Sequence, residues 1–312
     1  MQSERYFIGL DLGGTAIKFG ICSKQGEIVQ EFQQPTRADK PVKTILEDLA
    51  HAIQTAQEFA KQHQLPVAAV GMGTPGSVDV ECGYLRGNTP NFKHWKDVKI
   101  KQYLEEKSQL PLWVDNDANM MAFGEATFGA GKGFSHVVCV TLGTGIGGGI
   151  IVDKELFRGS NYAGGEIGHM SIKFDGEPCR CGGIGCWELY ASATAMIKNY
   201  HLKSGDTSIR STKEIFEKYY NNETIAREVV EQEIEMAAVG VANILNIFNP
   251  QMVIIGGGVS ESGDWFIEQI ATEAKKRAML PSSEGVKIVR AKLGNSAGWL
   301  GAAAFACHRL EE

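Results

Sequence analysis

Residues 10–22, LDLGGTAIKFGIC, decide the fold, because residues 140–152, VTLGTGIGGGIIV, repeat their pattern. At a constant offset of 130, Leu12 falls on Leu142, Gly13 on Gly143 and Ile21 on Ile151. In each stretch an apolar strand meets a glycine-rich turn and a second apolar strand returns antiparallel. Two such hairpins in a chain of 312 residues predict two related α/β domains facing one cleft. Length favours the same number, at roughly 150 residues per domain. Chance similarity between glycine-rich hairpins is the competing explanation, so the flanking sequence has to decide.

The flanks read as α/β on both sides. After the first hairpin, SKQGE turns the chain into IVQEF, and Ile45, Leu49, Ile53, Ala56 and Ala60 then form the stripe of an amphipathic helix. VAAVGMG follows Pro66 as a short buried strand reached by a crossover. In the last third, Val230, Ile234, Ala237, Val241, Leu245 and Phe248 recur at helical spacing until Asn249-Pro250 stops them. The strand MVIIGGGVS, a helix around residues 265–276, the strand VKIVRA and a last helix from Ala297 complete the alternation. No linker separates the halves. The boundary is therefore expected within the fold near residues 116–125, giving an N-terminal domain of 1–117 and a C-terminal domain of 118–312. The last helix can pack back on the N-terminal domain.

Composition excludes several classes. Apolar residues make up 43% and charged residues 22%, ordinary values for a globular protein. The 31 basic and 37 acidic residues leave a net charge of −6, which opposes a nucleic-acid or anionic-membrane surface. The stretch 137–152 holds five glycines and is shorter than the roughly 20 apolar residues of a membrane span. With seven cysteines and no apolar signal stretch before Asp11, the expectation is a cytoplasmic protein without disulfides. Glycine, at 37 residues, stands well above its usual share of about 7%.

Two segments match GxGxxG, Gly71-Gly73-Gly76 and Gly143-Gly145-Gly148. A dinucleotide fingerprint needs a helix directly after the glycines, and both segments continue as strands or turns. What remains is a hairpin turn whose successive N–H groups can meet an anion closely. Gly13, Gly14 and Thr15, with Lys18 nearby, form one such turn; Thr144 and Gly145 form another; Gly256, Gly257 and Gly258 form a third. Tight hairpins favour glycine for structural reasons too, but three such turns make an anion-binding use the better reading.

His169, Cys179, Cys181 and Cys186 follow the pattern H-x9-C-x-C-x4-C. Three thiolates and an imidazole are the donor set of a closed, structural Zn²⁺ site, with no position open for water. Cys22, Cys139 and Cys307 sit among apolar neighbours and read as core. Glu166 and Glu188 flank the cluster, so a folded zinc loop would set them against one wall with His169. Further upstream, VDNDANMMAFGEA passes from a strand into a helix, with Asn116 and Asp117 at the transition. Asp117 there is either an N-cap or a general base, ionised at neutral pH by an intrinsic pKa of about 4.

Together these motifs resemble the ROK family (repressors, open reading frames, kinases) of the actin-like, hexokinase-like ATPase superfamily. The residues that carry the resemblance are DLGGT (11–15), TPG (74–76), PN (90–91), NDAN (116–119), GTGIGGG (143–149), GGEIGH (164–169), CRCGGIGCWE (179–188) and IIGGG (254–258). It implies a two-domain actin-like ATPase (ribonuclease H-like) α/β fold with the ligand cleft between the domains. It also implies that Asp117 deprotonates a hexose 6-hydroxyl attacking ATP. By the same resemblance, Asn116, Glu166, His169 and Glu188 hold the sugar, and Asn91 and Gly76 close its other side. Gly13, Gly14, Thr15, Thr144 and Gly145 take the phosphates, Gly256–Gly258 lie against the adenosine, and Asp11 organises Mg²⁺. Small-molecule sugar and nucleotide are the implied partners, in a homodimer. The motifs are most similar to those of ATP-dependent glucokinases. N-Acetylmannosamine or N-acetylglucosamine kinases are the alternative, and a sugar-responsive regulator without catalysis is the rival of another class. Its N-terminal DNA-binding segment is not expected before a phosphate turn at residue 11.

Overall fold

The computed structural model describes residues 5–89 and 92–312. Strand β1 (Tyr6–Leu12) pairs antiparallel with β2 (Ala16–Ser23), and β2 with β3 (Ile28–Pro35). Helix α1 (Val42–Gln62) buries Ile45, Leu49, Ile53, Ala56 and Ala60, the stripe expected from spacing. It returns the chain to β4 (Val67–Thr74), parallel to β1. A small antiparallel sheet of β5 (Ser77–Asp79), β6 (Tyr84–Asn88) and β7 (Lys96–Lys99) follows. Then come α2 (Ile100–Ser108), β8 (Leu112–Asn116), parallel to β4, and α3 (Asp117–Thr127). The main sheet runs β3-β2-β1-β4-β8.

The second half repeats this plan. Strands β9 (Val137–Leu142) and β10 (Ile146–Val152) form the hairpin, with β11 (Glu155–Leu156) beyond it. Helices α4 (Ala193–Ser204), α5 (Thr212–Tyr220) and α6 (Thr224–Phe248) precede β12 (Met252–Gly256), which is parallel to β9. Helices α7 (Asp264–Arg277) and α8 (Leu280–Ser283), strand β13 (Lys287–Arg290) and helix α9 (Ala297–Glu311) end the chain. The second sheet runs β11-β10-β9-β12-β13, so hairpin, first strand and crossover strand keep the same order in both halves. Neither GxGxxG segment opens a helix: the first leads into β5 and the second lies across the β9–β10 hairpin.

Register corrects the constant offset of 130. Leu12 pairs with Ile17 in the first hairpin, whereas Leu142 pairs with Ile146 in the second. The second turn is one residue shorter and closes from Gly143 N–H to Gly145 O, where the first closes from Gly13 N–H to Ala16 O. On the return strands Ile17 therefore matches Ile146, Lys18 matches Gly147, and Ile21 matches Ile150 and not Ile151.

The chain forms two compact units. One contains residues up to Gly133 with Leu156–Gly164 and Asn295–Glu312; the other contains Phe134–Glu155 and Gly165–Gly294. The division thus falls after Gly133 and not at 117/118, because α3 packs within the first unit against α9. A Cβ at Gly301 of α9 would overlap the Met120 carbonyl of α3, and one at Gly71 of β4 would overlap the Ala302 carbonyl. Only glycine permits helix and strand backbones to approach this closely. Each unit has its own core, around Leu10, Ile53, Met72 and Val114 in the first and Val140, Trp187, Val241 and Ile255 in the second. Among the described residues, no helix is long and apolar enough to cross a membrane.

Candidate functional site

In the first unit, the candidate residues collect at the C-terminal ends of β1, β4 and β8. The Gly13–Thr15 turn is held from behind by Thr36, whose hydroxyl donates to Gly13 O (2.7 Å) and whose N–H donates to Thr15 O (3.0 Å). Asp11 lies across the hairpin from Lys18 in the ladder, and Lys18 Nζ donates to Asn295 Oδ1 (3.1 Å). The Asp11 carboxylate presses on the first turn of α9, 2.6 Å from where a Cβ of Gly298 would stand. Burial raises the Asp11 pKa to about 7; the charge of Asp117 pushes it further in the same direction, and Lys18 opposes both. A carboxylate whose ionisation burial and the charge of Asp117 oppose is thus placed beside a glycine turn and a lysine.

Asn116, not Asp117, is the N-cap of α3. Its Oδ1 accepts from the N–H groups of Ala118 (2.9 Å) and Asn119 (3.2 Å), as a capping side chain does. Its Nδ2 donates to Gly76 O (3.2 Å), which ties β8 to the turn after β4. Asp117 is the first helical residue, and its Oδ1 accepts from Ala118 N–H (2.9 Å). The capping explanation for Asp117 therefore passes to its neighbour. Asn91 lies outside the described residues.

In the second unit, the β9–β10 turn is held in the manner of the first. Ala193 N–H donates to Gly143 O (2.8 Å) and the Thr194 hydroxyl to Thr144 O (2.7 Å), both from the start of α4. Gly256 ends β12, Gly257 has φ +87°, and Gly258 has open space where a side chain would be. Glu166 is exposed at the start of a 3-10 turn, Ile167–His169, that packs on β10. A Cβ at Gly168 would overlap the Ile146 carbonyl, so glycine there brings His169 close to the hairpin. Glu188 Oε2 lies 2.5 Å from the Cβ position of Gly145.

The donor atoms of His169, Cys179, Cys181 and Cys186 all lie within 4.8 Å of one another. Cys181 Sγ and Cys186 Sγ are 3.5 Å apart, and Cys179 Sγ is 3.7 Å from His169 Nδ1. A tetrahedron with Zn–S bonds of about 2.3 Å has edges of roughly 3.8 Å, so the residues fit zinc. Without a cation, burial and then the neighbouring thiols push Cys186 up to about 12; a dication would reverse that balance. The loop is anchored by Trp187, fully buried, whose Nε1 donates to Met236 O of α6 (2.9 Å).

Thr36, Thr194, Asp115 and Arg158 were not singled out in the sequence. Their partners lie 23, 50 and 43 residues away, and no local pattern marks such pairs.

A family model described as the ROK family matches residues 7–309. The chain is 33% identical to the glucokinase of Halalkalibacterium halodurans, over 96% of this chain and 94% of that protein. It is 32% identical to the xylose repressor of Bacillus subtilis, over 95% of this chain and 75% of the repressor. A solved structure of a ROK family glucokinase from Streptomyces griseus, in complex with glucose and AMPPNP, aligns with a TM-score of 0.82 at 32% identity. That alignment covers 97% of this chain and 99% of the other.

Proposed function

The chain belongs to the ROK family, with its two-domain actin-like sugar-kinase fold, and from that premise we propose that it transfers the γ-phosphoryl group of ATP to the 6-hydroxyl of glucose. The observation that carries this reading is Asp11 at the end of β1, across the hairpin from Lys18, next to the Gly13–Thr15 turn and within reach of the charge of Asp117. Phosphoryl transfer needs a group to orient or deprotonate the attacking hydroxyl and a separate charge to hold a cation on the phosphates. Asp117, held at the first turn of α3, would accept the hydroxyl proton. Asp11 would hold the cation, whose positive charge favours the ionised carboxylate that burial opposes. Magnesium, bound with ATP, would supply charge neutralisation on the phosphate oxygens.

The remaining roles follow the family resemblance. Gly13, Gly14, Thr15, Thr144 and Gly145 would take phosphates at turns whose carbonyls are already engaged. Gly256–Gly258 would lie against the adenosine, where the open space at Gly258 supports the reading. By the same resemblance, Gly76, Asn91, Asn116, Glu166, His169 and Glu188 would each take a part in holding the sugar. Zinc would be bound by His169 Nδ1 and the three cysteines, leaving Nε2 of the same ring for a sugar hydroxyl and fixing its direction.

ADP release with Mg-ATP tests the proposal across glucose, mannose, N-acetylmannosamine, N-acetylglucosamine and fructose. Glucose should lead in kcat/KM. An N-acetylated sugar in the lead would replace the acceptor and keep the mechanism. Sugar binding without turnover would favour the regulator reading that the xylose-repressor relative supports.

A further inference from the structure

The geometry points to Arg158 as the positioning residue for the base, acting through the buried carboxylate of Asp115. Asp115 is the last residue but one of β8 and is only 2% exposed, so its charge needs partners. It has three. Its Oδ1 accepts from Asn116 N–H (2.6 Å) and from Asn119 Nδ2 (3.0 Å), and its Oδ2 accepts from Arg158 Nε (2.7 Å). Residues 116 and 119 bracket Asp117 on both sides. The carboxylate of Asp115 therefore fixes the entry into α3, where the Asn116 cap and Asp117 itself are set. The only formal positive charge among these partners is Arg158.

Arg158 is itself held in place. Its guanidinium carbon lies 5.1 Å from the centre of the Phe305 ring on α9, and Nη1 donates to Leu156 O (3.3 Å). Its own carbonyl accepts from Gly164 N–H (2.8 Å), which closes the 156–164 segment into a loop. The side chain is 16% exposed, so water competes weakly for the pair. Removing the guanidinium leaves a buried carboxylate that draws water or turns toward other donors, and the turn carrying Asp117 moves with it. A displacement of about 1 Å at a reacting group is enough to lower a rate by roughly 100-fold.

This inference rests on Asp117 being the base, and the experiment separates the two. Four variants are compared with the wild type: Arg158→Met, Asp115→Asn, the double variant carrying both, and Asp117→Asn. Turnover, KM for both substrates, glucose binding by intrinsic fluorescence and Tm are measured. Arg158→Met should lower kcat by roughly 10- to 100-fold, with the KM for ATP within about threefold of wild type and any loss of glucose binding, through Asn116, smaller than the loss of kcat. The double variant has no unpartnered buried charge and should recover most of the Tm lost by Arg158→Met, while kcat stays down. A kcat that recovers together with Tm would overturn the positioning role and leave a structural ion pair. A kcat near wild type in Arg158→Met, with Asp117→Asn inactive, would also overturn it and leave the base assignment standing. Near-normal turnover in Asp117→Asn would instead remove the assignment on which the inference depends.

Discussion

The two hairpins have the same order, a closing hydrogen bond donated by the first glycine of the turn and the same kind of brace, yet they differ in turn length and in charge. Across the first, Asp11 faces Lys18; at the matching positions of the second stand Thr141 and Gly147. Both turns have their carbonyls held by a threonine hydroxyl and a backbone N–H from another segment, Thr36 in one and Ala193 with Thr194 in the other. One scaffold thus occurs twice, with a facing acid and lysine in one copy only. The neutral copy gained a neighbour, since Glu188 of the cysteine loop lies over Gly145. In the proposed roles, the first hairpin brings the carboxylate that would hold the cation, and the second offers phosphate only amides and a fixed shape.

The largest expected effect breaks that comparison most directly. Asp11→Asn should lower kcat by roughly 100-fold or more, the scale of losing one group that stabilises transferring charge. Its structural counterpart Thr141→Val should change kcat less than threefold. Steady-state kinetics at saturating Mg-ATP decide it: equal losses would mean that the two hairpins share one role.

Next in size is the cysteine loop. Cys181→Ser should reduce zinc content, measured by elemental analysis, and raise the glucose KM by roughly tenfold, the scale seen when groups that orient a metal's ligands are changed. Trp187, wedged on α6 where any side chain at Gly240 would strike its ring, should keep the domain folded. A wild-type protein without zinc would remove this part of the reading. A smaller effect probes the shared brace. Thr36→Val and Thr194→Val should each raise the KM for ATP about threefold to tenfold, one hydrogen bond's worth, with little change for glucose. If only one of them did so, the two turns would not be mechanically equivalent.

Much of this was legible because it is local and periodic. The hairpin strands, α1, α6 and the parallel strands that follow them were read from apolar spacing, and the cysteine cluster from ligand type. The one-residue difference between the turns was not, because a run of glycines aligns equally well at either offset. Nor did the sequence place the cap: it offered Asp117 as cap or base, and the bonds from Ala118 and Asn119 give the cap to Asn116, a side chain that caps equally well. Arg158 was invisible because its partner is joined to it by tertiary structure alone. Helix α6 showed another limit. Its stripe was read correctly at Val230, Ile234, Ala237, Val241 and Leu245, but the buried arc is wider and takes in Val229, Ala238 and Glu233.

Glu233 carries the smallest effect and the clearest sign. It is 1% exposed, its Oε1 has no hydrogen-bond partner among the described residues, and burial alone raises its pKa well above the ordinary 4.5. At acid pH the group is protonated in both the folded and unfolded chain, so it adds no pH dependence. Above about 4.5 the unfolded chain ionises while the fold retains the proton. Folding then takes up a proton, and stability falls as pH rises, by about 1.4 kcal/mol per unit. The fall levels off once pH passes the raised pKa of the folded state. Glu233→Met, apolar and similar in length, removes this dependence. Its Tm should exceed that of the wild type by a few degrees at pH 8 and by less at pH 5. Thermal unfolding of both proteins across that range checks it, and a difference that is constant with pH would mean that Glu233 is ionised in the fold.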